Sequence, residues 1–260
     1  MKTKIYLIGT ASGIPTWNRY TESVALKIGD NLYLLDAGEP CSASMVRLGI
    51  NYNRIRAVFI SHMDPDHFAG LPMLIQTMEL SQKRNGLPLK IFLPPKACRP
   101  VKEYLRMMYL MPETLSFKLE FIPLKEGEIY KNAKTSFSVH RTNHLKRRFI
   151  SRKNMAPVPT DSFAFSATMP DKRRLVYTGD IAGPRDLDAF IDKTDLLLVE
   201  LAHFRPEDLF ACLAGKKVGK IVCLHIHPDW NDREKEILRL GRKYLKKNVI
   251  IGTDGMKIGF

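Results

Sequence analysis

The sequence has few cysteines and no long apolar run, and both shortages exclude classes of protein. Four cysteines occur among 260 residues and no two form a CxxC pair, which excludes a zinc ribbon and a small disulfide scaffold. The first apolar run, residues 5–8, is too short for the core of a signal peptide. No window approaches the roughly 18 apolar residues of a membrane-spanning helix. We therefore expect a cytoplasmic protein that does not act in a membrane.

Acidic residues are also few relative to basic ones. Asp and Glu total 27 against 41 Lys and Arg, so the formal net charge is +14. Such an excess favours a polyanionic partner such as nucleic acid or an anionic surface, although charge alone identifies neither. The 45% of apolar residues exclude a disordered tail and a fibrous repeat.

Strand and helix patterns alternate along the chain. Helices are predicted at residues 42–48, 68–78 (with its cap at Asn85-Gly86), 101–110, from near Pro206, and 233–246. Strands are predicted at residues 4–8, 23–28, 31–35, 57–60, 89–93, 118–122, 136–139, 163–167, 174–177, 196–199, 221–224 and 249–251. Because hairpins accompany the alternation, we expect an α/β (in some schemes α+β) architecture with mixed sheets, in one domain over residues 1–260.

The chemistry is concentrated after the predicted strand at residues 57–60. Four potential metal ligands follow within six residues: His62, Asp64, Asp66 and His67. Imidazole and carboxylate suit a first-row divalent metal, and a strand-to-helix turn points them away from the sheet edge. One ion cannot easily use all four, so the pattern predicts two metals.

Three more candidate ligands follow later strands, namely His144, Asp180 and His225. His140 competes with His144, and His227 competes with His225. Position relative to the strand end favours His144 and His225.

This order of ligands resembles the metallo-β-lactamase superfamily, whose signature is H-x-H-x-D-H, then a His, an Asp after a Gly, and a His, each at a strand end. A closer likeness is to the ribonuclease Z branch. It rests on residues 9–19 (GTASGIPTWNR), 35–39 (LDAGE) and 70–75 (GLPMLI). The resemblance implies an αβ/βα sandwich of two mixed β-sheets flanked by helices, with two metals at one end. It also suggests a homodimer.

The resemblance further implies a ligand set. One metal would use His62, Asp64 and His144, the other would use Asp66, His67 and His225, and Asp180 would bridge them. The shared water, whose pKa two metals lower, would be the nucleophile, and Asp66 would also orient it. Zinc is favoured, with manganese or iron as alternatives, because Asp64 stands where the superfamily has a second His.

A proton donor for the leaving group is expected at His203, oriented by Glu200. The ribonuclease Z branch carries a His-Glu-Ala-Thr box, and this chain has Val199-Glu200-Leu-Ala-His203 instead. His203 would take the place of the missing His. The alternative is that His203 only packs or caps the helix near Pro206.

A basic loop is expected at residues 146–153 (KRRFISRK). It would replace the Gly- and Lys-rich arm with which many ribonuclease Z proteins hold tRNA, since no such arm is recognisable. Four residues are expected to contact the substrate: Lys146, Arg147, Arg148 and Phe149. The aromatic ring would stack on an unpaired base.

These observations predict a metal-dependent hydrolase, a phosphodiesterase or ribonuclease with RNA or another phosphodiester as its substrate. Two alternatives stay open. One is a metallohydrolase of another ester class, such as lactones or thioesters. The other is a non-catalytic RNA-binding relative in which Asp64 has spoiled the metal site.

Overall fold

The computed structural model describes residues 3–149, 159–247 and 249–260, and residues 147–149 through their backbone only. The described helices are Cys41–Arg47 (α1), Pro65–Phe68 (α2), Leu71–Ser81 (α3), Cys98–Met107 (α4), His144–Phe149 (α5), Pro206–Leu213 (α6), Pro228–Asn231 (α7) and Glu234–Leu245 (α8). The described strands are Thr3–Gly9 (β1), Ser23–Ile28 (β2), Asn31–Leu35 (β3), Ile55–Phe59 (β4), Leu89–Leu93 (β5), Leu119–Pro123 (β6), Gly127–Lys131 (β7), Ser136–Thr142 (β8), Ser162–Thr168 (β9), Arg174–Tyr177 (β10), Thr194–Leu201 (β11), Val218–Ile226 (β12), Ile250–Ile251 (β13) and Lys257–Gly259 (β14).

These strands form two seven-stranded sheets with mixed directions. The first has the order β14-β1-β2-β3-β4-β5-β6 and the second β13-β12-β11-β10-β9-β8-β7. β3 to β6 run parallel, as do β10 to β13, and the remaining neighbours are antiparallel. The expected sandwich of two mixed sheets flanked by helices is therefore confirmed.

The sheets are joined by a core that contains aromatic side chains from both. The ring of Phe59 on β4 stacks on Phe92 of the same sheet at 4.7 Å and on Phe137 of the opposite sheet at 4.5 Å. Two further apolar clusters cover the outer faces, one with α1, α3 and α4 and one with α6 and α8. Burial on both faces explains why the central strands are continuous apolar runs.

Two edge strands, β7 and β14, were not predicted from the sequence. Every residue of β7 is half-buried or exposed, and β14 has one buried residue between two exposed ones. Edge strands of this kind lack the apolar run or alternation by which a buried strand is recognised. They are recognised only by their pairing in the structure, β7 with β8 and β14 with β1.

The predicted helix over residues 68–78 is wrong at both ends. It is divided into α2 and α3 around Gly70, where a Cβ atom would lie 2.4 Å from the Gly38 carbonyl oxygen. α3 ends at Ser81 with Gln82 in a left-handed conformation at φ 47°. Asn85 and Gly86 also have positive φ angles, 51° and 72°, so they form a turn before β5 and do not cap the helix.

Within the described residues, no helix combines the length and the hydropathy that crossing a membrane requires.

Replacing Phe59 by alanine should weaken the contact between the two sheets. We expect the free energy of unfolding to fall by about 3–5 kcal/mol, because the change removes a buried ring and leaves a cavity. Urea denaturation measures the loss. The control is Leu80→Ala on α3, a side chain that is 74% exposed, for which we expect a change within about 0.5 kcal/mol. Equal stability of the two variants would contradict the role of Phe59.

Candidate metal centre

The predicted ligands meet at one edge of the sandwich, where strands of both sheets end. His62, Asp64, Asp66 and His67 follow β4 of the first sheet. The other three follow strands of the second sheet: His144 comes after β8, Asp180 after β10, and His225 lies at the end of β12. The short helix α2, with Pro65 at its first position, turns Asp66 and His67 back towards this edge.

The carboxylate of Asp180 lies at the middle of the cluster, and its two oxygens face different histidines. Its Oδ1 is 3.3 Å from Nε2 of His67 and 3.3 Å from Nε2 of His225. Its Oδ2 is 3.5 Å from Nε2 of His62 and 3.7 Å from Nε2 of His144. Asp180 therefore divides four imidazoles into two pairs.

Each pair of histidines is completed by one further carboxylate. Oδ2 of Asp64 lies 3.6 Å from Nε2 of His62 and 3.9 Å from Nε2 of His144. The second set repeats the arrangement, with Oδ2 of Asp66 at 3.5 Å from Nε2 of His67 and 3.7 Å from Nε2 of His225. In both sets the donor atoms lie within 4.8 Å of one another.

The donor atoms fit a divalent metal because several are buried without another partner. Among the described residues, Nε2 of His62, His67 and His144 and Oδ1 of Asp180 make no hydrogen bond. Leaving such atoms buried and unpaired is costly. Imidazole nitrogens and carboxylate oxygens that converge in this way are the ligand set of zinc, manganese or iron.

A further carboxylate, that of Asp36 directly after β3, fixes the orientation of His67. Its Oδ2 lies 2.7 Å from Nδ1 of His67 and accepts hydrogen bonds from the Ser61 hydroxyl at 2.7 Å and the Tyr177 hydroxyl at 2.6 Å. A bond to Nδ1 leaves the Nε2 lone pair for a metal, as partners of metal-binding histidines usually do. Sequence reasoning did not select Asp36, although it lies in the LDAGE segment.

Glu22 is the second acidic residue that sequence reasoning missed. It is buried, and its Oε2 lies 3.7 Å from Nδ1 of His225, which has a left-handed φ of 50°. Burial raises the pKa of Glu22. Burial opposes the charged form of His225, yet the Asp180 and Glu22 carboxylates outweigh it and raise the pKa of His225 to about 9. A proton and a metal therefore compete for this imidazole.

His203 and Glu200 lie beside the cluster as an oriented pair. Oε2 of Glu200 is 2.8 Å from Nδ1 of His203 and also accepts the backbone N–H of His203 at 3.1 Å. Burial alone would lower the pKa of His203, but the Glu200 carboxylate has the larger, opposite effect, so the pKa is raised above its usual value. Because Nδ1 is held by Glu200, Nε2 is left for a substrate. The structure thus places both residues beside the cluster, and their catalytic roles stay a prediction.

The two histidine alternatives lie outside the cluster. His140 has its Nε2 2.9 Å from the Ser166 hydroxyl and its ring stacked on Phe190 at 4.8 Å, and burial lowers its pKa to about 4. His227 accepts the N–H of Asp229 with Nδ1 at 3.2 Å and so caps α7. The structure therefore brings together His144 and His225, the residues preferred from the sequence.

The predicted basic loop is wrong at its start, because His144–Phe149 form the helix α5. His144, the predicted ligand, is thus the first residue of this helix. Lys146 is exposed on the same helix. The side chains of Arg147, Arg148 and Phe149 and all of residues 150–158 lie outside the described residues. Their contact with a substrate stays a prediction.

A cavity of about 450 Å³ opens directly onto the cluster. Its walls come from the segments after β1, β4, β10 and β11 and from the end of β12 and the residues after it, and include Ile14, His203 and His227. Clefts of this volume are typical of sites for small molecules or for one segment of a polymer.

Comparison with known proteins gives one family and several related folds. The family profile described as "Anti-Pycsar protein Apyc1" matches residues 3–215. The chain is 36% identical to ribonuclease Z of Pyrococcus horikoshii over 89% of this chain and 88% of that protein. Its fold is similar to the metallo-β-lactamase fold protein YhfI from Bacillus subtilis (TM-score 0.78, 16% identity, 100% of both chains) and to human tRNase Z, short form (TM-score 0.75, 19% identity, 98% of both chains). The resemblance inferred from the motifs is confirmed.

Removing one histidine should remove one metal, since the donors form two sets. We expect His144→Ala to lose one of the two ions that the sets can hold, while the set around His67 keeps the other. Metal content of purified protein after zinc loading and gel filtration measures this. The matched control, His140→Ala, changes a histidine of the preceding strand and should keep both ions. Equal metal content in the two variants would contradict the assignment of His144.

Neutralising Asp36 should weaken metal binding without removing a ligand. Asp36→Asn keeps the shape of the side chain but loses the charge that orients His67. We expect metal affinity to fall about 10–100-fold, measured by competition with a chromophoric chelator. Tyr177→Phe removes only one hydrogen bond to Asp36 and should have a smaller effect. Unchanged affinity in Asp36→Asn would show that His67 needs no such partner.

Proposed function

The chain belongs to the anti-Pycsar protein Apyc1 family, within the metallo-β-lactamase superfamily of metal-dependent hydrolases, and we propose that it hydrolyses phosphodiesters, RNA included. The observation that carries the proposal is the position of Asp180 between two complete donor sets. The names of two similar proteins, ribonuclease Z and tRNase Z, also indicate a phosphodiester bond as the target. The net charge of +14 favours an anionic substrate over a neutral ester.

We infer that two divalent ions bind, one to each donor set. Zinc is the preferred ion because each set combines two imidazoles with carboxylate oxygens. Asp64 makes the first set richer in carboxylate than three histidines would, which leaves manganese and iron as alternatives. When bound, such ions lower the pKa of water and stabilise the charge on phosphoryl oxygens.

The chain's own residues would then orient water and move one proton. Asp66, at the rim of the second set, accepts a hydrogen bond from the attacking water and directs its oxygen at phosphorus. As the water oxygen bonds to phosphorus, the bond from phosphorus to the leaving oxygen breaks, and His203 donates its proton to that oxygen. The proton that the water loses passes to solvent, and solvent returns a proton to His203. Glu200 keeps the His203 ring in place and favours its protonated form. The products are a phosphate monoester and an alcohol.

The first test is hydrolysis of bis(4-nitrophenyl) phosphate by zinc-loaded and manganese-loaded protein. We expect turnover that His67→Ala abolishes, because that residue supplies one of the three donors of the second set, and that His140→Ala preserves. A tRNA precursor and cyclic nucleotides would follow as substrates. Absence of turnover in metal-loaded protein, together with activity on neutral esters or lactones, would overturn the proposal.

The role of His203 predicts a dependence on the leaving group. His203→Gln should lower kcat by about 10²–10⁴-fold for a dinucleotide, whose alkoxide leaves poorly without a proton. The loss should be much smaller for bis(4-nitrophenyl) phosphate, because 4-nitrophenolate leaves unprotonated. Metal content should be unchanged. Equal losses on both substrates would show that His203 only packs beside the centre.

A further inference from the structure

An exposed tryptophan lies on the segment that forms one wall of the cavity. Trp17 is 89% exposed, although large aromatic side chains usually bury most of their surface. Ile14, three residues earlier, lines the cavity and is itself 59% exposed. A Cβ atom on Gly13 would lie 3.4 Å from Oδ2 of Asp66, so this segment packs against one of the proposed metal ligands.

Backbone hydrogen bonds hold Trp17 within a tight turn. The backbone N–H of Thr16 donates to the Arg19 carbonyl at 3.1 Å, and the N–H of Arg19 donates to the Thr16 carbonyl at 3.3 Å. These two bonds place Trp17 and Asn18 at the tip of a tight turn. A side chain on a rigid turn costs less conformational entropy to order on binding than one on a flexible loop.

A buried guanidinium anchors the turn to the opposite end of the chain. Arg19 is 1% exposed, and it donates to Asn231 Oδ1 at 2.9 Å, to Glu234 Oε1 at 2.6 Å and to the Gly252 carbonyl. Asn231 belongs to α7, the helix that His227 caps at the cavity. The turn is thus rigid relative to the wall of the site.

The distance along the chain puts the indole within reach of a bound nucleotide. Trp17 is three positions after Ile14, so their Cα atoms are at most about 11 Å apart. Trp17 therefore lies near the cavity wall, where the base of a phosphodiester bound at the donor sets, or the next base along the strand, can reach it. Base–aromatic stacking contributes about 1–3 kcal/mol per base and tolerates every base.

We propose that the indole of Trp17, at the tip of the Thr16–Arg19 turn, is a stacking platform for a nucleobase of the phosphodiester bound at the metal centre. The assignment rests on the proposed function and adds a residue of this chain that would contact the nucleoside part of such a substrate. It makes Trp17 a substrate-positioning residue that contributes to binding and not to the bond-breaking step.

Two esters with the same leaving group test the platform. Thymidine 5′-(4-nitrophenyl) phosphate carries a base and methyl 4-nitrophenyl phosphate does not. We expect Trp17→Ala to raise KM for the thymidine ester about tenfold, near the low end of the range for one stacked base, with kcat little changed. KM for the methyl ester should stay constant, and Trp17→Phe should recover most of the loss. Equal effects on both esters, or none on either, would overturn the proposal.

Tyr109 offers a matched control. It is 86% exposed and follows α4, the helix between the parallel strands β5 and β6. Because β4 and β5 are also parallel, α4 begins at the edge of the sheet where the site lies and leads to the opposite edge, so Tyr109 lies away from the site. Tyr109→Ala should change neither ester. A loss in Tyr109→Ala equal to that in Trp17→Ala would indicate a general effect of removing an exposed ring and would overturn the proposal.

A binding measurement separates this proposal from the proposed function. The chain has two tryptophans, so Trp230→Phe leaves Trp17 as the single indole. In that variant, loaded with zinc, adenosine 5′-monophosphate should quench the fluorescence saturably and inorganic phosphate should not. This readout holds even if neither ester is hydrolysed. Equal responses to both ligands, or a change of sedimentation coefficient in Trp17→Ala that marks a subunit contact instead, would overturn the platform.

Discussion

The arrangement of the whole site depends on the carboxylate of Asp180 facing four imidazoles at once. A buried carboxylate alone would be expensive, but here the histidines hold its pKa well below the usual range despite burial. The same charge makes the imidazole edges of His67 and His225 favourable places for a positive ion or a proton. The residue therefore does more than link two donor sets, because it sets the electrostatic potential that both of them share.

Asp36 connects several residues that support the donor sets without being a donor itself. It follows β3 of the first sheet and accepts a hydrogen bond from Tyr177 on β10 of the second. The same carboxylate binds the backbone N–H of Ser61 at 2.6 Å. One side chain thus takes part both in the contact between the sheets and in the orientation of His67.

The sequence predicted those residues of the candidate site that directly follow a strand. His62, Asp64, Asp66 and His67 are recognisable because they follow a buried strand directly, and the order of the later ligands supplied the rest. Asp36 and Glu22 were missed because their partners, His67 and His225, are distant along the chain and become neighbours only in the fold. β7 and β14 were missed because an edge strand needs no apolar pattern. Local sequence also did not reveal that His144 starts a helix, since a basic run is typical of a helix face and of a loop alike.

The spread of the ligands along the chain has a consequence for the order in which the site is assembled. In a chain synthesised from its N-terminus, the set of His62, Asp64 and His144 is complete in sequence before Asp180 is made. The second set, which begins with Asp66 and His67, is incomplete until His225 at the end of β12 has been synthesised. The two sites are therefore unequal during biosynthesis, even though their geometry is nearly symmetrical in the finished molecule. The residues of the first donor set are thus all synthesised before the second set is complete.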